Sequence, residues 1–291
     1  VKRAGFFLFI VKIYFDKNHC YMNKIILSLL IFLTGCSQSS PVQRNNLIEG
    51  LNLNKFSKNI YSTKYFNIYS LEKINNNDNK KLTIYIEGDG QSWIDKFSRS
   101  SDPTPTDPLA FRLALTDKNE NIIYLARPCQ YEWSDGCDKD VWTISQYSPP
   151  VLNSYKEIIN HLSKNFDVIH LVGYSGGAGI VMYLGSIKNK NVKSIRTIAG
   201  NINHNELSKI LNISRLRKSI NFYSIEKKIK QIPQIHYYGL KDKTVPNELQ
   251  ISYAERNSNN KCVKIQSVNN TSHNEGWSDF WAENNLKLPR C

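Results

Sequence analysis

The stretch Gly173-Tyr174-Ser175-Gly176-Gly177 sets a serine between glycines two positions to either side. Ahead of it Val168, Ile169, Leu171 and Val172 form an apolar, β-branched run that predicts a buried strand. Behind it Gly176 to Gly179 open an apolar helix. A serine on so sharp a strand-to-helix turn is held in a strained backbone, and the flanking glycines let strand and helix approach without a clash. Its hydroxyl projects from the turn, and the amide of Gly176 points from the helix N-terminus toward any oxyanion formed at Ser175. The chemistry this suits is nucleophilic attack on a carbonyl. The non-catalytic reading of the same residues is a glycine-rich helix start that only cradles an anion.

Such a turn needs a sheet beneath it. Apolar, β-branched runs predict strands at 82–87, 121–126, 192–198, 234–238 and 261–268, and one or two edge strands within 59–71. Helical patterns fall at 109–115, 151–164, 247–255 and 277–281. Strands alternating with helices over about 200 residues predict a mostly parallel sheet with right-handed crossovers. Between two of these elements, residues 127–150 form a long loop carrying Tyr131, Trp133, Trp142 and Tyr147, with Cys129 and Cys137. A loop this long in a compact domain is usually functional. Its aromatics either line an acyl or ring pocket or simply pack the loop down.

Strand, serine elbow, helix, a late acid and a later histidine together resemble the α/β-hydrolase fold over residues 80–285. A closer likeness is to bacterial α/β-hydrolase lipoproteins, which share the strings IEGDGQSW (86–93), ARPCQY (126–131) and GYSGG (173–177). The resemblance implies a mostly parallel central sheet with helices on both faces and a small cap inserted at 201–232. It implies no particular substrate.

A serine hydroxyl is a poor nucleophile until a histidine takes its proton, and the histidine needs a carboxylate to hold its tautomer. The α/β-hydrolase order is serine, acid, histidine. After Ser175 the aspartates are Asp242 and Asp279; Asp242 follows a strand, whereas Asp279 lies beyond the last histidine, so Asp242 is the expected acid. Among the histidines, His273 follows both the last strand and the acid, while His204 precedes the acid; His273 is the expected base. Glu275 and Trp277 beside it read as surface and packing residues. The turn Gly88-Asp89-Gly90 matches the position that donates the second oxyanion amide in this fold. The usual His-Gly is Glu87-Gly88 here, so the carry-over is to the amide of Asp89, with Gly90 as the other candidate.

The 291 residues, 41% apolar, suit one large or two small domains with material for a core; the reading is a single domain over 59–291. The net charge of +13 is spread through Asn/Lys runs such as 75–81 and 188–193, which read as solvated faces and not as a nucleic-acid stripe. No metal spacing and no phosphate-binding loop occur, so no metal or cofactor is expected.

From Met22 the order is Lys24, the apolar run 25–33, then Leu33-Thr34-Gly35-Cys36 and a polar string. That is the pattern of a secretory signal too short to span a bilayer. Its ending resembles the bacterial lipoprotein signal, which implies that Cys36 is lipidated and begins the mature chain. Residues 1–35 then read as leader and signal, with the true start at Met22 or, alternatively, a long two-part signal, and 36–58 as a tether. Ser37 after the cysteine fits the outer membrane of a Gram-negative envelope, facing the periplasm or the cell surface. Export leaves Cys129, Cys137, Cys262 and Cys291, an even number in an oxidising compartment. Closeness in sequence pairs Cys129 with Cys137 and leaves Cys262 for Cys291; four inert buried thiols are the other reading.

The expectation is a monomeric, lipid-anchored serine hydrolase that cleaves a carboxylic ester or thioester through an acyl-enzyme. The alternatives are a catalytically degenerate envelope binding protein, or a serine peptidase or acyltransferase on the same fold.

Overall fold

The computed structural model describes residues 48–291 apart from 49, 52, 54, 77, 96 and 230. The leader, the signal and Cys36 lie outside the described residues. Eight strands form one sheet: β1 (Ser57–Ser62), β2 (Asn67–Ile74), β3 (Lys81–Ile86), β4 (Asn121–Leu125), β5 (Val168–Tyr174), β6 (Val192–Ile198), β7 (Gln234–Gly239) and β8 (Val263–Val268). Their spatial order is β1-β2-β4-β3-β5-β6-β7-β8. The hairpin β1–β2 adds antiparallel to β4; every other pairing is parallel.

The helices are α1 (Leu109–Thr116), α2 (Pro149–Leu162), α3 (Gly177–Ser186), α4 (His204–Ile210), α5 (Tyr223–Lys228), α6 (Glu248–Arg256) and α7 (Trp277–Asn284). They cover both faces of the sheet, and the strand side chains alternate between two apolar layers. On β3, Leu82, Ile84 and Ile86 pack with residues of α2 and α3, whereas Tyr85 packs with residues of α1 and α7. β4 divides in the same way, Ile123 and Leu125 on one side and Ile122 and Tyr124 on the other. A strand buried on both faces must be apolar at nearly every position, which is why these runs stand out in the sequence.

The register then fixes where function can lie. Ile86 pairs with Gly173, Tyr174 with Ile198, Ile198 with Tyr237, and Gly239 with Val268. The strands therefore end together, and Glu87, Ser175, Ala199 and Leu240 all leave the sheet at one carboxyl edge, the ligand-binding edge of open α/β sheets. Residues 204–210 and 223–228 supply the two short helices of the segment read as a cap.

The tether read at 36–58 differs from what is seen where it is described. Ile48 is buried in the layer that holds α1 and α7, Leu51, Leu53 and Phe56 pack against that layer, and β1 already begins at Ser57. These four apolar side chains, spaced irregularly, give no strand or helix period but still bury surface. Two disulfides close the chain on itself, Cys129–Cys137 and Cys262–Cys291.

Candidate active site

Only Ser175 and Gly176 separate β5 from α3. Ser175 sits at φ 47°, in the left-handed region that L side chains disfavour. It is held there by its neighbours: its amide donates to the Ile198 carbonyl at 3.0 Å, and its own carbonyl accepts from Ala178 at 3.1 Å and Asn201 at 2.9 Å. A Cβ on Gly173 would overlap the backbone of Gly177, and one on Gly177 would overlap the backbone of Ile86. The two glycines thus let the helix start lie directly on two strands.

Ser175 Oγ lies 2.9 Å from Nε2 of His273, and Nδ1 of the same ring lies 2.9 Å from Oδ2 of Asp242. The Asp242 side chain is only 1% exposed. Its other oxygen accepts the amides of Thr244 at 2.8 Å and Val245 at 2.9 Å, which fixes the carboxylate in the turn after β7. With the carboxylate opposite Nδ1, that nitrogen carries the proton and Nε2 is free to accept from the serine hydroxyl.

The loop bearing His273 is tied on both sides. The Tyr174 hydroxyl donates to Oδ1 of Asn274 at 2.5 Å, and the Trp277 indole donates to the carbonyls of Ser272 at 2.8 Å and His273 at 3.2 Å. Trp277 therefore does more than pack; its one polar atom is spent on the histidine's own backbone. Glu275 is exposed, as expected. Asp279 lies in the first turn of α7. His204 does line the same cavity, but its Nε2 is bonded to the Ile220 carbonyl at 2.7 Å and its ring stacks on Tyr147; burial lowers its pKa.

Beside the serine lies the turn after β3. Among the described residues, the amides of Gly176, Asp89 and Gly90 have no acceptor. A Cβ on Gly88 would come within 3.1 Å of Ser175 Cβ, so this turn runs alongside Ser175. A Cβ on Gly176 would overlap the Asp89 carboxylate. That carboxylate is paired at 2.8 Å with Arg127, a buried guanidinium that also donates to the Gln146 carbonyl at 2.8 Å. Gln130 donates to the carbonyls of Gly88 at 3.1 Å and Pro103 at 3.3 Å, and the Tyr147 hydroxyl donates to the carbonyl of Gly176 at 3.0 Å. The strings IEGDG and ARPCQ are therefore two halves of one packed unit.

Glu87 occupies the position before Gly88. Its Oε1 accepts the amides of Gly88 at 2.9 Å and Ala110 at 3.3 Å, and so closes the N-terminus of α1, where Pro108 offers no capping side chain. Burial outweighs these bonds and raises its pKa to about 7.

The cavity over Ser175 encloses about 610 Å³. Its lining includes the polar Asp89, Gln91 and Asp107 and, from the cap, the apolar Leu207, Leu211 and Leu216 beside His204 and Ser208. None of the four aromatics of the 127–150 loop lines it. Tyr147 is fully buried, and Trp142 is buried with its indole bonded to the Ser100 carbonyl, so these two take the packing role, while Trp133 is 55% exposed and takes neither. Among the described residues the aromatic side chains in the wall are Tyr174, next to Ser175, and Trp93, on a turn whose sequence hides its part in the pocket.

Among the described residues no group of three His, Cys, Asp or Glu side chains is placed to hold a metal ion. The arrangement can position a serine oxygen, accept its proton and present amides to a developing negative charge.

Comparison with solved structures shows a fold shared with α/β-hydrolases. Est1E from Butyrivibrio proteoclasticus is 13% identical, with a TM-score of 0.56 over 78% of this chain and 94% of that one. An α/β serine hydrolase homologue from Coxiella burnetii is 13% identical, with a TM-score of 0.54 over 78% and 96%. The Pyrococcus furiosus esterase Pf2001 is 15% identical, with a TM-score of 0.54 over 80% and 92%. Identities this low speak for the fold alone. Comparison with curated protein sequences gives no match. The family model described as serine hydrolase (FSH1) matches residues 104–269, more than half of the chain, and the protein belongs to that serine hydrolase family.

Proposed function

We propose that this serine hydrolase is an esterase acting on carboxylic esters or thioesters, with Ser175 as nucleophile, His273 as general base and acid, and Asp242 as the residue that orients the imidazole. The observation that carries the reading is the unbroken contact chain, 2.9 Å from serine to histidine and 2.9 Å from histidine to aspartate. Ser175 Oγ attacks the carbonyl carbon as His273 Nε2 takes its proton, and Asp242 stabilises the imidazolium so formed. The oxyanion is received by the amide of Gly176 and that of Asp89, with Gly90 next in line. His273 returns the proton to the leaving oxygen or sulfur, leaving an acyl-enzyme, and then activates the water that hydrolyses it.

The exchange of the usual histidine for Glu87 does not argue for a degenerate, purely binding protein. An oxyanion donor of this kind is a backbone amide, and the side chain of Glu87 is engaged below the turn. Labelling with a fluorophosphonate tests the reading: wild type should react at one site and Ser175→Ala should not. A folded wild type that resists the label and turns over neither p-nitrophenyl acetate nor an acyl thioester would refute it.

The same proposal takes the N-terminal sequence as a lipid anchor at Cys36 that holds the enzyme to the bacterial envelope. Its basis is the sequence pattern. Cys36→Ser should shift the protein from the membrane to the soluble fraction or leave it unprocessed; unchanged fractionation would refute the anchor.

A further inference from the structure

Trp93 and Ile213 line the cavity and are largely exposed, and Ile94 and Phe97 stand beside Trp93 on the same exposed turn. A tight hairpin is closed where Trp93 bridges Arg99 and the Ile94 amide donates to the Ser98 carbonyl at 2.8 Å. Trp93 is 43% exposed, Ile94 49% and Phe97 86%; across the mouth, Ile213 of the cap is 53% exposed. Burying such groups in water-free surroundings is worth far more than leaving them wet, and a cluster around a pocket mouth marks a contact surface.

Charge says what kind of surface. In the cap segment Ile213-Ser214-Arg215-Leu216-Arg217-Lys218, Leu216 faces the cavity while Arg215, Arg217 and Lys218 are exposed. Arg215 and Arg217 have no acidic partner among the described residues. The hairpin and this segment are neighbours, because one carboxylate joins them. Asp140 accepts Arg99 on one oxygen and Lys218 on the other, each at 2.6 Å. The one acidic side chain at the hairpin tip, Asp95, is turned back on the amides of Phe97 and Ser98. Apolar tips beside unpaired arginines match a sheet of anionic headgroups over hydrocarbon, with tryptophan at the boundary between the two.

We infer that Trp93, Ile94 and Phe97 of the hairpin, with the 213–218 segment, dock the cavity mouth on an anionic lipid surface, so that esters dissolved in that surface enter the site directly. The second half of this inference rests on the esterase reading; the first does not.

The test uses the full chain with phosphatidylcholine vesicles carrying brominated acyl chains, with and without phosphatidylglycerol. Trp93 fluorescence, isolated by difference against Trp93→Phe, should be quenched with phosphatidylglycerol, and less so at high salt or in Arg215→Ser/Arg217→Ser. In parallel, a long-chain ester held in the vesicles is compared with p-nitrophenyl acetate in solution. Ile94→Ser/Phe97→Ser should lose about tenfold on the vesicle-borne ester and nothing on the soluble one. Because every variant keeps the same N-terminus, attachment there cancels in the comparison. Trp93 left unquenched by anionic vesicles, as expected if the rim meets a protein instead, would overturn the inference, and so would an unchanged ratio of the two activities. A wild type that cleaves neither ester defeats the esterase reading, and the quenching still decides the docking.

Discussion

Arg127 and Asp89 meet at 2.8 Å directly beside Gly176, and the arginine is the more deeply buried of the two. On the proposed mechanism a carboxylate at this place would repel the oxyanion; Arg127 cancels its charge and at the same time fixes the turn that carries the Asp89 amide. Arginine suits the task because its fork reaches Asp89 and the Gln146 carbonyl together, which a lysine cannot do. We expect Arg127→Met and Arg127→Lys to lower kcat roughly 10- to 100-fold with little change in KM, since the displaced group matters only as charge develops. Arg127→Met should also cost about 2 to 3 kcal/mol of stability, below the range for a fully buried pair because Asp89 keeps some solvent. Steady-state kinetics and urea unfolding check both; a pure KM effect would remove Arg127 from this role.

Glu87 gives the stability a pH dependence of definite sign. Folded, it holds its proton up to about pH 7, whereas its ordinary value is 4.5. Between those limits the folded state binds more protons than the unfolded one, so stability falls as pH rises. The contribution is fully present below about pH 4.5 and lost as pH passes through about 7, a change on the order of 3 kcal/mol. Glu87→Gln keeps an acceptor for the amides of Gly88 and Ala110 but has no charge to bury. It should therefore be more stable than wild type at pH 8 and no more stable at pH 5. Parallel stability curves for the two proteins over that interval would contradict the assignment.

How much of this could be read in advance follows from where each signal resides. The strands β3, β4 and β5 stand out because burial on both faces demands nearly unbroken apolar runs, and Ser175 because a strand-to-helix turn this sharp tolerates few residues besides glycine around it. Asp242 and His273 were legible through chain order and their places after strands, so their meeting at the serine follows from topology. Arg127 and Asp89, by contrast, lie 38 residues apart with no periodicity relating them. Only the parallel pairing of β3 with β4 brings their loops together. Gln130 and Tyr147 were hidden for the same reason, and the exposed hairpin at 93–99 carries no pattern of its own. The strings IEGDG and ARPCQ hold the residues of that unit, and what joins them is visible only in three dimensions.

The strain at Ser175 is a second consequence of the elbow. A non-glycine residue at φ 47° costs about 1 to 2 kcal/mol, which glycine does not incur, although glycine loses about 0.5 to 1 kcal/mol more entropy on folding. The difference favours glycine, so Ser175→Gly should unfold at a higher temperature than both wild type and Ser175→Ala while losing all ester turnover. Thermal scans of the three proteins decide it. A Ser175→Gly variant less stable than Ser175→Ala would show that the backbone there is not under strain.

The disulfide Cys129–Cys137 should act on rate and not on affinity. It spans eight residues, so its loss restores unfolded-chain entropy worth roughly 2 to 3 kcal/mol. A loop whose aromatics shaped the acyl pocket would loosen substrate binding when freed, but Tyr131, Trp133, Trp142 and Tyr147 lie outside the cavity wall. What the bridge does hold is the stretch carrying Arg127 and Gln130, the two side chains that pin the Gly88-Asp89 turn. Replacing both cysteines, Cys129→Ser with Cys137→Ser, should therefore lower kcat severalfold, leave KM within about twofold, and make the loss additive with nothing beyond that of Arg127→Met. The combined variant is the sharp measurement. If its kcat falls by the full product of the separate losses, bridge and arginine act independently, and the path from Cys129–Cys137 through Arg127 to the amide of Asp89 is wrong.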